Sequence, residues 1–211
     1  MLAGIMLARL LGKKYIGFID SDNYFPGAVF EYARLFSAGL SQSQSPCSMV
    51  RIKWHSKPKI VDTGLLFAKW GRVSRITNFY LNQLLGYYTG YETEALSTGN
   101  AGEHAMSMEL ALLLDYSAGF SVETYHFVSL LEKFGGIIPS PYPEVMKSGV
   151  EIFQMESRNP HFHETAKGDK HINEMILYSL SVLYQSGICP ETLKKEILHE
   201  LHRSGIIGKD D

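Results

Sequence analysis

Apolar residues Leu2, Ile5, Met6 and Leu10 recur at helical spacing through MLAGIMLARLLGKK and predict an opening helix that ends at Gly12. Next comes YIGFID, residues 15–20, a short and largely apolar run of the kind that forms a buried strand in a parallel sheet. Parallel strands are reached through helical crossovers, and no strand-like run precedes this one. The chain is therefore expected to begin partway through an α/β domain. Residues 26–36 read as a helix opened by Pro26, packing Ala28, Val29, Tyr32 and Phe36. Residues 41–46 form a polar turn. Residues 49–54 (MVRIKW) alternate apolar and basic side chains as a half-buried strand does.

Further along, residues 76–88 read as a helix and 95–98 as a short strand ending in GNAG. Residues 103–114 carry a Leu/Met face and predict a helix. A strand at 120–123, a helix at 125–133 and a strand from Val150 (VEIFQME) follow, then helices at 172–184 and 191–202. No repeat, low-complexity tract or linker interrupts the chain, so residues 1–211 are expected to be a single partial α/β domain.

Composition narrows the function. The chain has 211 residues, 45% apolar, 20% charged and 12% aromatic, with a formal net charge of -2. This is a globular composition, long enough to bury roughly 70% of the unfolded surface without a metal or disulfide staple. The near-neutral charge offers no broad basic field for nucleic acid and no polybasic arm for a membrane, so neither is an expected partner. Cys47 and Cys189 lack metal or redox spacing and read as free thiols in a reducing, cytoplasmic compartment. No run of about 18 apolar residues is present, and Arg9 interrupts the apolar N-terminus before any cleavage site.

Four constellations carry chemistry. Asp20-Ser21-Asp22 follows the first strand, and residues i and i+2 of an extended segment point the same way. Two hard oxygen donors at a strand end suit a divalent cation that also holds a diphosphate, although a solvated turn uses the same residues. In Arg158-Asn159-Pro160-His161-Phe162-His163-Glu164, His161 or His163 could reach a metal, against the alternative of an ordinary surface loop. Gly99, Asn100, Ala101 and Gly102 precede the predicted helix at 103, where free backbone N–H groups could bind an anion or simply be capped by Asn100 or Thr98. Arg51 and Lys53 share a strand face and could hold a phosphate or carboxylate, or be a solvated face.

Together, the stretches IGFIDSDNYFPGAVFEYARLF, VRIKWHSKPK, GRVSRITNFYLNQLL, STGNAGEHAMSMELALLL and ESRNPHFHE resemble the mannosyl-3-phosphoglycerate synthase family. The resemblance spans nearly the whole chain and is clearest from Gly4 to Glu164. It implies a GT-A-like α/β glycosyltransferase fold lacking its N-terminal part. It also implies transfer of mannose from GDP-mannose to the 2-hydroxyl of 3-phosphoglycerate, with retention, for mannosylglycerate synthesis. Asp20 and Asp22 would then be the catalytic, donor-binding and metal motif, with His161 or His163 completing the metal shell. A histidine ligand admits Mg, Mn, Co or Zn.

In this reading Arg51, Lys53 and the Gly99 to Gly102 backbone are the candidates for the acceptor's phosphate and carboxylate. The unpaired edge of the first strand is expected to favour aggregation or a homodimer. Two alternatives compete. A haloacid-dehalogenase-like phosphatase shares a strand ending in Asp-x-Asp and a later Lys167-Gly168-Asp169, but Tyr24 stands where that family has Thr or Val. The other is a truncated, non-catalytic remnant.

Overall fold

Gly12, with φ of 64°, closes the first helix, α1 (Leu2–Leu10), and turns the chain into strand β1 (Tyr15–Phe18). The computed structural model describes residues 1–21, 23, 25–56, 59–61, 64–66, 72–162 and 168–208. Their contacts group into two compact units interleaved along the sequence, so no single linker marks a boundary between them.

One unit comprises Met1–Gly71, Ala101–Leu114 and Pro141–Ala166. Its helix α2 (Pro26–Gln42) starts on a proline whose fixed φ suits the first helical turn. Beyond it lie β2 (Cys47–Trp54), a small antiparallel pair β3 (Lys59–Val61) and β4 (Gly64–Leu66), β5 (His104–Ser107), the short α4 (Met108–Ala111), α6 (Pro143–Ser148) and β6 (Val150–Ser157). The main sheet runs β1-β5-β2-β6, with β5 antiparallel to both neighbours and β2 parallel to β6. On one sheet face Ala28, Tyr32, Phe36 and Leu40 of α2 pack on Val50, Ile52 and Trp54 of β2, with Ala101 and Ala105. Gly39 is required there, because a Cβ would approach Val50 to 2.5 Å and the Met155 sulfur to 2.9 Å. The turn after α2 is tied down as well: Glu151 accepts from the Ser43 hydroxyl at 2.6 Å and the Gln44 N–H at 2.9 Å.

The other unit comprises Arg72–Asn100, Asp115–Ser140 and Lys167–Asp211. It is built from α3 (Arg72–Thr89), a 3₁₀ turn (Gly119–Ser121), α5 (Val122–Phe134), α7 (Asp169–Gln185) and α8 (Glu191–Arg203). Leu81, Leu84, Phe127, Leu180, Leu183 and Ile197 form part of its buried apolar interior.

Several expectations need correction. The first strand is not buried and parallel. It is an antiparallel edge strand with alternate residues exposed, because β5 is its one partner among the described residues. The strand at 49–54 is not half-buried: all but Lys53 of β2 are buried, since the strand is flanked on both sides and covered by α2. No strand forms at 95–98. Asn82 instead donates to the Leu96 carbonyl and accepts its N–H, at 2.8 and 2.9 Å, so a side chain of α3 takes the place of a ladder. The helix predicted at 103–114 begins instead as β5, which gains two strand partners; only Met108–Ala111 is helical, with the Ser107 hydroxyl accepting from Leu110 N–H. At 120–123 a 3₁₀ turn runs into α5, where Gly119 has φ of 64° and the Ser121 hydroxyl bonds the Ala118 carbonyl.

Candidate functional site

The chain leaves β1 at Phe18 and carries Asp20 to the segment that enters β5. There the Asp20 carboxylate lies against Gly102 so closely that a Cβ on Gly102 would fall within it. The next residue, Glu103, is fully buried, and its backbone carbonyl accepts from Ile52 N–H at 3.0 Å. Consecutive residues thus touch the first candidate carboxylate through Gly102 and, through Glu103, the candidate histidine.

His161 is 2% exposed. Its backbone N–H donates to the Ser56 carbonyl at 3.0 Å. Its ring stacks on Trp54 with centroids 4.7 Å apart. Its Nδ1 lies 3.2 Å from the Tyr32 hydroxyl, 3.2 Å from Asn23 Nδ2 and 3.6 Å from Glu103 Oε1. The Trp54 indole N–H donates to the other Glu103 oxygen at 2.9 Å. Asn23 accepts the Phe25 N–H at 3.1 Å, a local turn that delivers the chain to α2 and Tyr32. Burial first, and then the Glu103 charge, pushes the Tyr32 phenol well above its ordinary value, so it stays neutral.

The segment before His161 is fastened to α2. The Glu31 carboxylate accepts Arg158 N–H at 2.7 Å, Asn159 N–H at 2.8 Å and Asn159 Nδ2–H at 2.9 Å. Burial alone would raise its pKa, but these bonds outweigh burial and hold the carboxyl below the usual value.

The other predicted residues are placed differently. Arg51 is fully buried, and its guanidinium meets the Ala101 carbonyl at 3.5 Å, so it is not part of an open basic face. Lys53, on the same strand face, reaches solvent with its ammonium 3.9 Å from Glu156. Gly99 and Asn100 do not open a helix. The Gly99 N–H donates to Asn78 Oδ1 at 2.8 Å, and Asn100 Nδ2 donates to Ser179 at 2.8 Å. The helix N-terminus expected after GNAG is absent because Glu103 leads into β5 instead. Asp22, His163 and Lys167 lie outside the described residues. Among the described residues there is no cluster of three or more His, Cys, Asp or Glu that could hold a metal, and no helix long and apolar enough to cross a membrane.

Sequence reasoning missed Asn23, Glu31, Tyr32, Trp54 and Glu103. A carboxylate directly after the small residues Asn100, Ala101 and Gly102 was the one available signal for Glu103. Tyr32 and Trp54 read simply as core.

A family model described as mannosyl-3-phosphoglycerate synthase matches residues 1–211. The mannosyl-3-phosphoglycerate synthase of Pyrococcus furiosus is 49% identical over 212 residues, covering 100% of this chain and 54% of its own length. That of Aeropyrum pernix is 39% identical, covering 98% of this chain and 53% of its own. The chain thus spans about half the length of the curated relatives it matches. Among solved structures, the glucosyl-3-phosphoglycerate synthase of M. tuberculosis is 16% identical, with a TM-score of 0.52, covering 85% of this chain and 52% of its own. That likeness is one of fold, and it agrees with the α/β glycosyltransferase architecture expected from the sequence. With the match running from the first residue to the last and through every segment that builds the cluster around His161, the chain belongs to the mannosyl-3-phosphoglycerate synthase family.

Proposed function

We propose that this chain takes part in transferring mannose from GDP-mannose to the 2-hydroxyl of 3-phosphoglycerate, with retention, using a divalent cation held by Asp20 and His161. The observation that carries this reading is the placing of Asp20 and His161 against the consecutive residues Gly102 and Glu103. The donor set fits a divalent cation: a carboxylate oxygen and an imidazole, with a carboxylate behind the imidazole as metal-bound histidines commonly have. Asn23, Tyr32 and Glu103 gather at Nδ1 of His161 and fix where its ring stands. His161 is taken here as the ligand because it stands beside Glu103; Asp22 is proposed as a further donor on the sequence motif alone. A bound cation supplies Lewis-acid neutralisation of the leaving diphosphate.

The protein's own contribution is placement. Gly102 gives the Asp20 carboxylate room, and Trp54 and Tyr32 hold the imidazole plane and keep water from it. Lys53 is assigned to the acceptor's phosphate, as the cation of the predicted pair that reaches solvent. Arg51 acts from inside, fixing the Ala101 carbonyl next to Gly102. In the test, the chain is incubated with GDP-mannose, 3-phosphoglycerate and Mn²⁺, and the products are followed by NMR. A mannosylated phosphoglycerate with the donor's anomeric configuration is expected. Release of inorganic phosphate from 3-phosphoglycerate without sugar transfer would instead support the phosphatase reading.

A further inference from the structure

β6 ends at Ser157 on an edge of the sheet, and the two residues that follow continue towards His161 with no neighbouring strand among the described residues. Their backbone N–H groups go to one side chain. Both oxygens of Glu31 are used: one accepts Arg158 N–H at 2.7 Å, and the other accepts Asn159 N–H at 2.8 Å and Asn159 Nδ2–H at 2.9 Å. Asn159 Nδ2 also lies 3.5 Å from the Gly27 carbonyl, so the same residue touches α2 twice. Pro160 then limits the backbone between this latch and His161. On the next position of α2, Tyr32 meets the His161 ring itself. Successive residues of one helix thus hold the main chain before the histidine and the histidine's imidazole.

We propose that Glu31 is a positioning residue of the metal site: its carboxylate latches Arg158 and Asn159 to α2 and so sets where the His161 ring stands. The proposal rests on the reading of His161 as a metal ligand. A carboxylate serving only to cap the end of β6 would contribute to stability and leave metal affinity alone. A latch that places a ligand changes affinity, and outer partners of metal ligands are typically worth about 10- to 100-fold.

The test titrates Mn²⁺ into the 211-residue chain, reading unbound Mn²⁺ by electron paramagnetic resonance, with circular dichroism to confirm folding. Glu31→Ala is expected to weaken Mn²⁺ binding about 10- to 100-fold. Glu31→Gln keeps side-chain volume and one acceptor oxygen, and is expected to lose less; it carries the test if the alanine variant does not fold. In a His161→Ala background, Glu31→Ala is expected to have no further effect, since its influence passes through that ring. Parent-like Mn²⁺ binding by the Glu31 variants beside a defective His161→Ala overturns the latch and leaves the metal reading standing. Additive losses in the double variant also overturn it. A parent that takes up no Mn²⁺, or a His161→Ala variant that binds like the parent, overturns the metal reading and the latch with it.

Discussion

At Gly102 the segment entering β5 passes so near the Asp20 carboxylate that only a residue without a side chain fits. Gly102→Ala should displace that carboxylate. A misplacement of about 1 Å can cost about 10²-fold in rate, so a loss of that order is expected in the transfer assay, beside an overpacking cost of about 1–3 kcal/mol. A variant with parent activity would remove Asp20 from the site. Two residues on, His104 is fully buried, its Nδ1 is 2.7 Å from the Gly102 carbonyl, and its ring is 5.2 Å from that of Phe18. Burial first, and then the Arg51 charge, lowers its pKa from 6.5 to about 3. Between those values the unfolded chain binds a proton that the folded chain rejects. Stability from this residue is therefore complete above about pH 6.5 and is lost as pH falls towards 3. Thermal melts from neutral to acid pH should show a steep decline that His104→Asn flattens. An equally steep decline in the variant would assign the acid sensitivity to other groups.

Two helical glycines separate packing from propensity at the scale of the element. In α2, Gly39 faces β2 and β6 with no room for a Cβ, so Gly39→Ala should destabilise by about 1–3 kcal/mol although alanine is the better helix former. In α1, a Cβ at Gly4 would meet Phe18 and Ile16 at 3.6 and 3.8 Å, ordinary contact distances, so Gly4→Ala should stabilise by up to about 1 kcal/mol. Urea unfolding of both variants compares the signs. A Gly39→Ala chain as stable as its parent would mean that α2 can lift from β2 at no cost. The longer helices were legible because their apolar period is local: α3, α5, α7 and α8 all contain the predicted spans. Residues 104–107 were not legible as a strand. HAMSMELALLL carries a helical period, and the two flanking strands that claim its backbone are far away in sequence.

Across the whole molecule, exposed apolar surface gathers on the opening elements. Leu10 is 82% exposed and Met6 66%, with Leu2, Leu7 and Leu11 exposed as well, and β1 has one sheet neighbour among the described residues. Apolar surface beside a strand edge favours association with other chains. Sedimentation velocity should therefore show a mass that rises with concentration. Tyr15→Lys, which puts a charge on the exposed side of β1, should suppress that rise. A parent that stays monomeric at every concentration would argue against an adhesive edge.

What the sequence determined by itself was local or collective. Helical periods, the helix-opening Pro26, the helix-closing Gly12 and the family-wide run of motifs are each written in neighbouring residues, and they sufficed for the α/β class and the family. Tertiary structure alone decided which groups meet. Glu103 comes to His161 across 58 positions, counting from 103 to 161, and Glu31 reaches Asn159 across 128. Tertiary structure also decided that Arg51 lies inside while Lys53, two residues away on the same strand face, reaches solvent. Spacing sets which face of a strand a side chain occupies, but what covers that face is set by elements distant in sequence, and burial and hydrogen bonding are settled only when those elements pack.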